Sequence, residues 1–507
     1  MWGDFFMKDA AYLLKNTLLL AVSSIVLRLI GLCFQAYLAA KVGAQELGLF
    51  GIISSVGVVF ATISISGVRF GVTRLAAENI SSSNPYPRTL MKCAFSYCTV
   101  FGFLSGVVLY IGAPLFSRHW VMDLSAVPAL RLMALSMPLI SFGAAAEGYF
   151  TAKQKVFRLV ATELFAQLVR ISFVVIFFTL LPEKNVKPSL ILAAGSFAGE
   201  SVLALGMLVL YFFEVRGKKE HHRPKGEFTI LVKTAFPLAV SAYMRTGLSS
   251  LGQIIIPRGL RKSGMGSAGA FTTYGVIGQM AMPVIMFPAA LLNALGEILV
   301  PRLTNAQIMG HKIGISYIVN RALRIGMIFS FAVSGIMLFY SELLSEAIYK
   351  SGEAGYYIRL FAPLVPIVYI DCVTDGCLKG LNQQLHSMLY NVLEGILNVV
   401  LLFILLPRIA ITGYLIVMYV KEIFNAVLSL WRLTKITAID KSPAVLISTA
   451  LSTFGAYVFS AVAFPSVALV PKIAIYVCFY VSLLYILNAV TRDDIKWVVA
   501  LLNPKKI

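Results

Sequence analysis

Long apolar stretches alternate with short polar connections along the whole chain, and each stretch is long enough to cross a lipid bilayer as a helix. A helix rises about 1.5 Å per residue and the hydrocarbon layer is roughly 30 Å thick, so about 20 consecutive apolar residues make one crossing. By that measure the sequence predicts about 14 crossings. They fall near 12–40, 48–72, 90–113, 127–149, 157–181, 188–213, 229–256, 268–300, 315–340, 355–378, 386–407, 410–434, 443–464 and 470–490. The connections are short, and none reaches the roughly 50 residues that a folded domain outside the membrane needs. The expected fold class is an all-α polytopic membrane protein, and its work is expected to be done within the bilayer.

Composition agrees with this reading. The chain is 59% hydrophobic and 13% charged, against about a quarter charged in soluble domains, which excludes a soluble enzyme. A net charge of +20 raises the question of nucleic acid, but the cations are spread over many short loops rather than gathered in one basic domain. They read instead as topology. With the N-terminus inside, the basic connections holding Arg74, Arg88, Lys153, Lys155, Arg158, Arg216, Lys218, Lys219, Arg223 and Lys225 all fall in the cytoplasm. So do Arg302, Lys312, Arg432, Lys435, Lys441, Lys496 and Lys505, as the positive-inside rule requires. Both termini are expected to be cytoplasmic. The first apolar segment is too long for the h-region of a cleaved signal and carries Arg28, so it is expected to remain as the first crossing. The six cysteines lack metal-binding spacing and histidine partners, so no metal site is expected.

The chain repeats itself. Residues 131–148 (RLMALSMPLISFGAAAEG) align without a gap on 359–376 (RLFAPLVPIVYIDCVTDG), matching Arg131 with Arg359, Pro138 with Pro366, Gly148 with Gly376, and Glu147 with Asp375. Phe50-Gly51 aligns with Tyr274-Gly275, and Leu181-Pro182 with Leu406-Pro407. The shift is six crossings throughout. An even shift preserves orientation, so two parallel, pseudo-symmetric six-helix lobes are expected about an axis along the membrane normal. The expected divisions are an N-terminal lobe at 1–213 and a basic cytoplasmic linker at 214–228. A C-terminal lobe at 229–434, two additional helices at 435–490 and an amphipathic cytoplasmic tail at 491–507 follow. In that tail Thr491 and Asp494 are placed to cap a short helix. Duplicated bundles suit alternating access by a carrier.

Charged residues within crossings narrow the function further. Arg28 lies 12 residues from both Asn16 and Ala40, about 18 Å along the helix from either end. A midplane Arg costs about 2.5 to 3.5 kcal/mol even on the lenient insertion scale, so it must face protein or water. Gln35 extends its face. Arg245 and Gln253 occupy the corresponding crossing of the second half, and Arg69 lies near the inner end of crossing two. Glu163, Gln167 and Arg170 form one polar stripe, and Asp371, Asp375 and Lys379 form another. Glu394, Lys421 and Glu422 sit mid-helix in crossings eleven and twelve. These acids read either as ion-coupling groups or, for Lys421 with Glu394, as a lock between helices.

The order of several short motifs carries a family resemblance over essentially the whole length. They are Leu14-Lys15 with Thr17, Arg28-Leu29-Ile30-Gly31, Val42-Gly43 with Glu46 to Phe50, Gly67, and Arg74 to Glu78. The second half adds Ile256-Pro257-Arg258, Tyr274-Gly275, Leu299-Val300-Pro301 and Gly380-Leu381. The chain resembles the stage V sporulation protein B-like branch of the polysaccharide flippases, within the superfamily of multidrug, oligosaccharidyl-lipid and polysaccharide exporters. The resemblance implies two six-helix lobes around a central cavity, two further helices, and a lipid-linked saccharide as cargo, such as an undecaprenyl-pyrophosphate-linked peptidoglycan precursor. The related lipid II flippases have a similar Arg at the Arg28 position. They carry an acid where this chain has Leu49, an Arg where it has Phe34 and another near Val284, departures that leave the particular saccharide open.

Chemistry and resemblance lead to one expectation: a flippase, not an enzyme, moving a lipid-linked saccharide to the outer leaflet for cell-envelope or spore-cortex synthesis. Arg28, Gln35, Arg69, Arg245 and Gln253 are expected to bind the headgroup phosphate in the central cavity. Glu163, Arg170, Asp371, Glu394 and Lys421 are expected to serve ion coupling or helix locking. No resident cofactor is expected; protons, sodium or the membrane potential would drive turnover. The expected partners are the lipid-linked substrate and membrane lipids, not nucleic acid, for a monomer in the bacterial cytoplasmic membrane. The alternatives are a cation-coupled multidrug exporter, which needs a substrate-facing acid, and a non-transporting sporulation scaffold.

Overall fold

A computed structural model describes residues 2–80, 87–180, 186–216, 226–440, 443–464, 467–491, 493–494 and 496–497, with side chains from residue 19 onward. Most of the 214–228 linker and the distal part of the 491–507 tail lie outside the described residues. All regular secondary structure among the described residues is helical. In order the helices are α1 (Trp2–Ile65), α2 (Val68–Ile80), α3 (Pro87–Phe116), α4 (Val127–Ala152), α5 (Val156–Leu180) and α6 (Pro188–Val215). Next come α7 (Glu227–Lys262), α8 (Ser267–Tyr274), α9 (Met282–Met286), α10 (Ala289–Ile308), α11 (Lys312–Phe339) and α12 (Ser341–Tyr349). The chain continues with α13 (Glu353–Phe361), α14 (Val365–Gly380), α15 (Gln384–Ile436), α16 (Ala444–Ala463) and α17 (Leu469–Ile486).

Ten helices among the described residues are long and apolar enough to cross a membrane, or up to eleven if a bent pair is one span. The sequence count of about 14 is reached only by dividing α1 and α15 at their breaks, taking the bent pair as one crossing, and adding α7. Both divisions have a physical basis. At 64 residues α1 would run about 96 Å unbroken, three bilayer thicknesses, and it is interrupted at Gly43 (φ 78°, ψ 169°), a conformation that suits a residue without a Cβ. In α15 the break falls at Ile409 and Ala410. There Lys421 meets Glu394, Asn425 meets Asn391 and Arg432 meets Gln383. One partner number falls as the other rises, which describes an antiparallel hairpin turning at the break.

The described chain forms two compact units, one of residues 44–275 and the other of residues 1–43 with 276–507. In the 44–275 unit, α4 packs against α2, α3 and α6. Its core holds Val72, Tyr97, Ala145, Tyr149, Phe150, Met207, Tyr211 and Ala235. Gly48 lets α1 approach α8 backbone to backbone, since a Cβ there would lie 2.1 Å from the carbonyl oxygen of Phe271. The other unit centres on α14, packed against α10, α11 and α15, with the α16–α17 hairpin on α11. Tyr480 and Tyr476 of α17 donate to the Ile328 and Ala332 carbonyls of α11.

The second crossing of each half of the repeat is discontinuous. Between α1 and α2, Ser66 (φ 43°) and Gly67 (φ 73°) interrupt the helix. The Ser66 hydroxyl accepts from Tyr243 at 2.6 Å and is shared with Tyr97 at 2.9 Å, so the freed polar groups are satisfied by protein. In the second half a π-helical turn at Gly275–Ala281 and a break at Phe287–Pro288 divide the crossing, with a 50° bend at the break. The aligned segments 131–148 and 359–376 also differ. The first lies within one continuous helix, while the second is split into α13, a 3₁₀ turn at Ala362–Leu364, and α14. Pro363, opposite Leu135, disfavours helical geometry for the residue before it.

Candidate functional site

In the unit holding α10 and α14, a cavity of about 280 Å³ gathers much of the charge the sequence placed in the membrane. Its wall includes Arg28 from α1, Asn293 and Glu297 from α10, and Asp371, Asp375 and Lys379 from α14. Each side chain is aimed by helical spacing. Asp371, Asp375 and Lys379 recur at four-residue intervals, one face of α14. Gly296 and Gly376 bring the two helices together, since a Cβ on Gly376 would lie 2.7 Å from the Gly296 Cα. That approach sets Glu297, the residue after Gly296, beside the α14 stripe.

The carboxylates are held unequally. Asp375 accepts from the Ser387 hydroxyl at 2.7 Å and lies 4.0 Å from the Lys379 ammonium. Asp371 accepts from the Asn425 amide at 2.9 Å through Oδ2, while its buried Oδ1 has no hydrogen-bond partner. Arg28 and Glu297 line the cavity with accessible side chains and make no ion pair within 4.0 Å among the described residues. A cation with five N–H donors thus stands free beside carboxylates.

The remaining sequence-derived residues are placed as follows. Gln35 donates to Gln279 in the π-helical turn at 2.9 Å. Arg245 is exposed on α7, and Gln253 accepts from Tyr274 at 3.3 Å. Arg69 pairs with Glu147 at 3.2 Å and Arg170 with Glu200 at 3.0 Å, so the stripe of Glu163, Gln167 and Arg170 does not satisfy itself. Lys421 is held by Glu394 at 2.9 Å and by Glu422. Arg28 and Asp371 therefore share one cavity, whereas Arg69, Arg245, Gln253, Glu163 and Arg170 belong to the other unit. Sequence reasoning missed Glu297, Asn293, Gln279 and Glu200. The signal for Glu297 was its position within the duplicated second crossing, one residue after a glycine. Among the described residues no group of His, Cys, Asp and Glu is arranged to hold a metal.

A larger cavity, about 1230 Å³, lies against α11, α15 and α16. Its arginines are committed elsewhere. Arg321 pairs with Asp494, and Arg324 donates to the carbonyls of Asn488 and Ala489. Asp494 also accepts from the Thr491 amide at 2.8 Å, closing a cap at the start of the tail. These contacts fasten the segment after α17 to α11.

The sequence model of a family described as polysaccharide biosynthesis protein matches residues 13–305, more than half of the chain. The chain belongs to that family. Stage V sporulation protein B of Bacillus subtilis (strain 168) is 23% identical to it, over 95% of this chain and 97% of the relative. The solved structure of the lipid II flippase MurJ in an inward closed conformation superposes with a TM-score of 0.68 at 13% identity, over 92% of this chain and 98% of that one. An inward-facing multidrug resistance MATE family transporter of the MOP superfamily gives 0.63 at 12%, covering 82% and 98%. This member of the polysaccharide biosynthesis family thus shares the fold of those solved structures and is a multi-pass membrane protein.

Proposed function

We propose that this protein is an alternating-access flippase. It moves a saccharide linked to undecaprenyl pyrophosphate, an oligosaccharide or a peptidoglycan precursor, from the inner to the outer leaflet of the bacterial cytoplasmic membrane. The product serves cell-envelope or spore-cortex synthesis, both termini are cytoplasmic, and the repeat supplies lobes 1–213 and 229–434. The observation that carries this reading is the Arg28 guanidinium, mid-depth in its crossing, lining a polar cavity with no ion-pair partner within 4.0 Å among the described residues. Forked donors match pyrophosphate oxygens, and Lys379 supplies a second cation on the same wall. The cavity, about 280 Å³, is the size of a headgroup's phosphates rather than of a whole glycan. Each sugar hydroxyl would cost several kcal/mol in hydrocarbon without a partner, so the glycan needs a wet path while the polyprenyl tail stays in lipid. An inside-negative potential favours outward movement of the anion by about 2.3 kcal/mol per charge per 100 mV.

The three carboxylates beside Arg28 favour a second reading, export of cationic drugs. One assay separates the two. Protein in vesicles is supplied with fluorescent polyprenyl-pyrophosphate-linked sugar or with a cationic dye under a proton gradient. The flippase reading predicts movement of the lipid, lost in Arg28→Ala, with no dye accumulation. Dye export that survives Arg28→Ala and disappears in Asp371→Asn would establish the exporter instead.

A further inference from the structure

The duplicated second and fourth crossings meet in the same manner in both units but with different charges. In the 44–275 unit Gly148 packs on the Arg69 carbonyl, and Arg69 forms an ion pair with Glu147 at 3.2 Å. In the other unit Gly376 packs on Gly296, and the residues flanking those glycines are Asp375 and Glu297, two acids. One contact closes on itself. The other draws its cations from elsewhere on the cavity wall, Lys379 one turn along α14 and Arg28 from α1.

We propose that substrate phosphate and protons enter this cavity together: the phosphate takes Arg28 and Lys379, and the carboxylates of Glu297 and Asp375 take protons from water. The inference rests on the proposed function, because it needs an anionic headgroup. In the empty site two cations face three carboxylates. A pyrophosphate on Arg28 and Lys379 adds negative charge within a cavity of about 280 Å³ while removing the carboxylates' counter-ions. Like charges crowded in this way cannot all remain ionised. Each uptake converts a carboxylate and a hydronium ion into a carboxylic acid and water, with no change of oxidation state. When the phosphate leaves, the cations return to the carboxylates and the protons depart.

The groups facing Glu297 are Arg28 from α1, and Asp371, Cys372, Asp375 and Lys379 from α14. No charged side chain of α9 or α11 lines the cavity. Behind α14, Ser387 and Asn425 of α15 bond Asp375 and Asp371, and Glu394, Lys421 and Glu422 form their own cluster on the same hairpin. Lys421 keeps those two acids paired, and Asp371, held by the Asn425 amide, has no ion pair to lose among the described residues, so the uptake that follows loss of a counter-ion falls to Glu297 and Asp375.

The test measures binding of farnesyl pyrophosphate to the full-length protein in detergent from pH 6 to pH 8. One proton taken up per ligand makes the affinity fall tenfold per pH unit across the window where the carboxylate titrates. The expected wild-type slope is about two protons, and Glu297→Gln and Asp375→Asn each lower it by about one, while Glu147→Gln keeps it. The probe's own titration is common to every variant and drops out of the comparison. Proton uptake by wild type in weakly buffered solution supplies a second readout should a variant fail to fold. Binding with no uptake, or an unchanged slope in both Glu297→Gln and Asp375→Asn, overturns the inference and leaves the flippase reading standing. Equal, negligible binding by wild type and Arg28→Ala overturns both.

Discussion

Arg69 with Glu147 and Arg28 with Glu297 are the instructive pair of regions. In the first, a half-exposed guanidinium meets a buried carboxylate at 3.2 Å, and the two helices that carry them pack through Gly148. In the second, guanidinium and carboxylate line a cavity without closing on each other, although the helices beneath pack through Gly296 and Gly376 in the same way. The packing device is common to the two halves, and the charges placed on it are not. A membrane protein tolerates an internal charge either by pairing it or by keeping it wet for a task. Here one copy of the repeat follows each course.

If the closed pairs are structural and the open cavity is functional, substitutions should separate stability from transport. The largest stability loss is expected for Lys421→Met, which strands Glu394 and Glu422 together. Removing one partner of a buried pair costs about 3–5 kcal/mol, read as a lowered midpoint of thermal unfolding in detergent. Glu147→Gln should cost less, about 1–2 kcal/mol, because Arg69 is 46% exposed and can turn to solvent. Glu297→Gln, which breaks no closed pair, should stay within about 0.5 kcal/mol of wild type in the same experiment. Equal losses for Glu147→Gln and Glu297→Gln would erase the distinction. Gln35→Ala, which removes the hydrogen bond to Gln279, should cost about 1 kcal/mol or less. A larger loss there would mean that the π-helical turn is structurally critical.

The fold class was legible because hydrocarbon thickness leaves only helices of a certain length, and because Gly148, Gly376, Pro138 and Pro366 recur at one spacing. The breaks were less so. The divisions of α1 at Gly43 and of α15 at Ile409 and Ala410 fall between crossings already separated in sequence, 12–40 from 48–72 and 386–407 from 410–434. The interruptions inside crossings, at Ser66–Gly67 and at Phe287–Pro288, were not foreseen. Pro363 splits its crossing while Pro138 sits inside α4, since whether a proline kinks or ends a helix depends on what the freed carbonyl finds. At the site, Arg28 and Asp371 stood out by the cost of burying charge. Glu297 did not, because in sequence it lies near the end of an apolar run, and only the close approach of Gly296 to Gly376 brings it to the cavity. The pairing of Arg170 with Glu200 was hidden for the same reason: i, i+4 spacing reveals neighbours on one helix and is silent about the next.

The central claim is that the α10–α14 cavity, and not its closed counterpart, receives the anionic headgroup. Its most direct test is equilibrium binding of farnesyl pyrophosphate to wild type, Arg28→Ala and Arg69→Ala at one pH and ionic strength. A charge-assisted phosphate contact is worth about 1.5–3 kcal/mol, so Arg28→Ala should bind roughly 10- to 100-fold more weakly, with Arg69→Ala indistinguishable from wild type. Equal affinity in Arg28→Ala, or a loss confined to Arg69→Ala, would contradict the account.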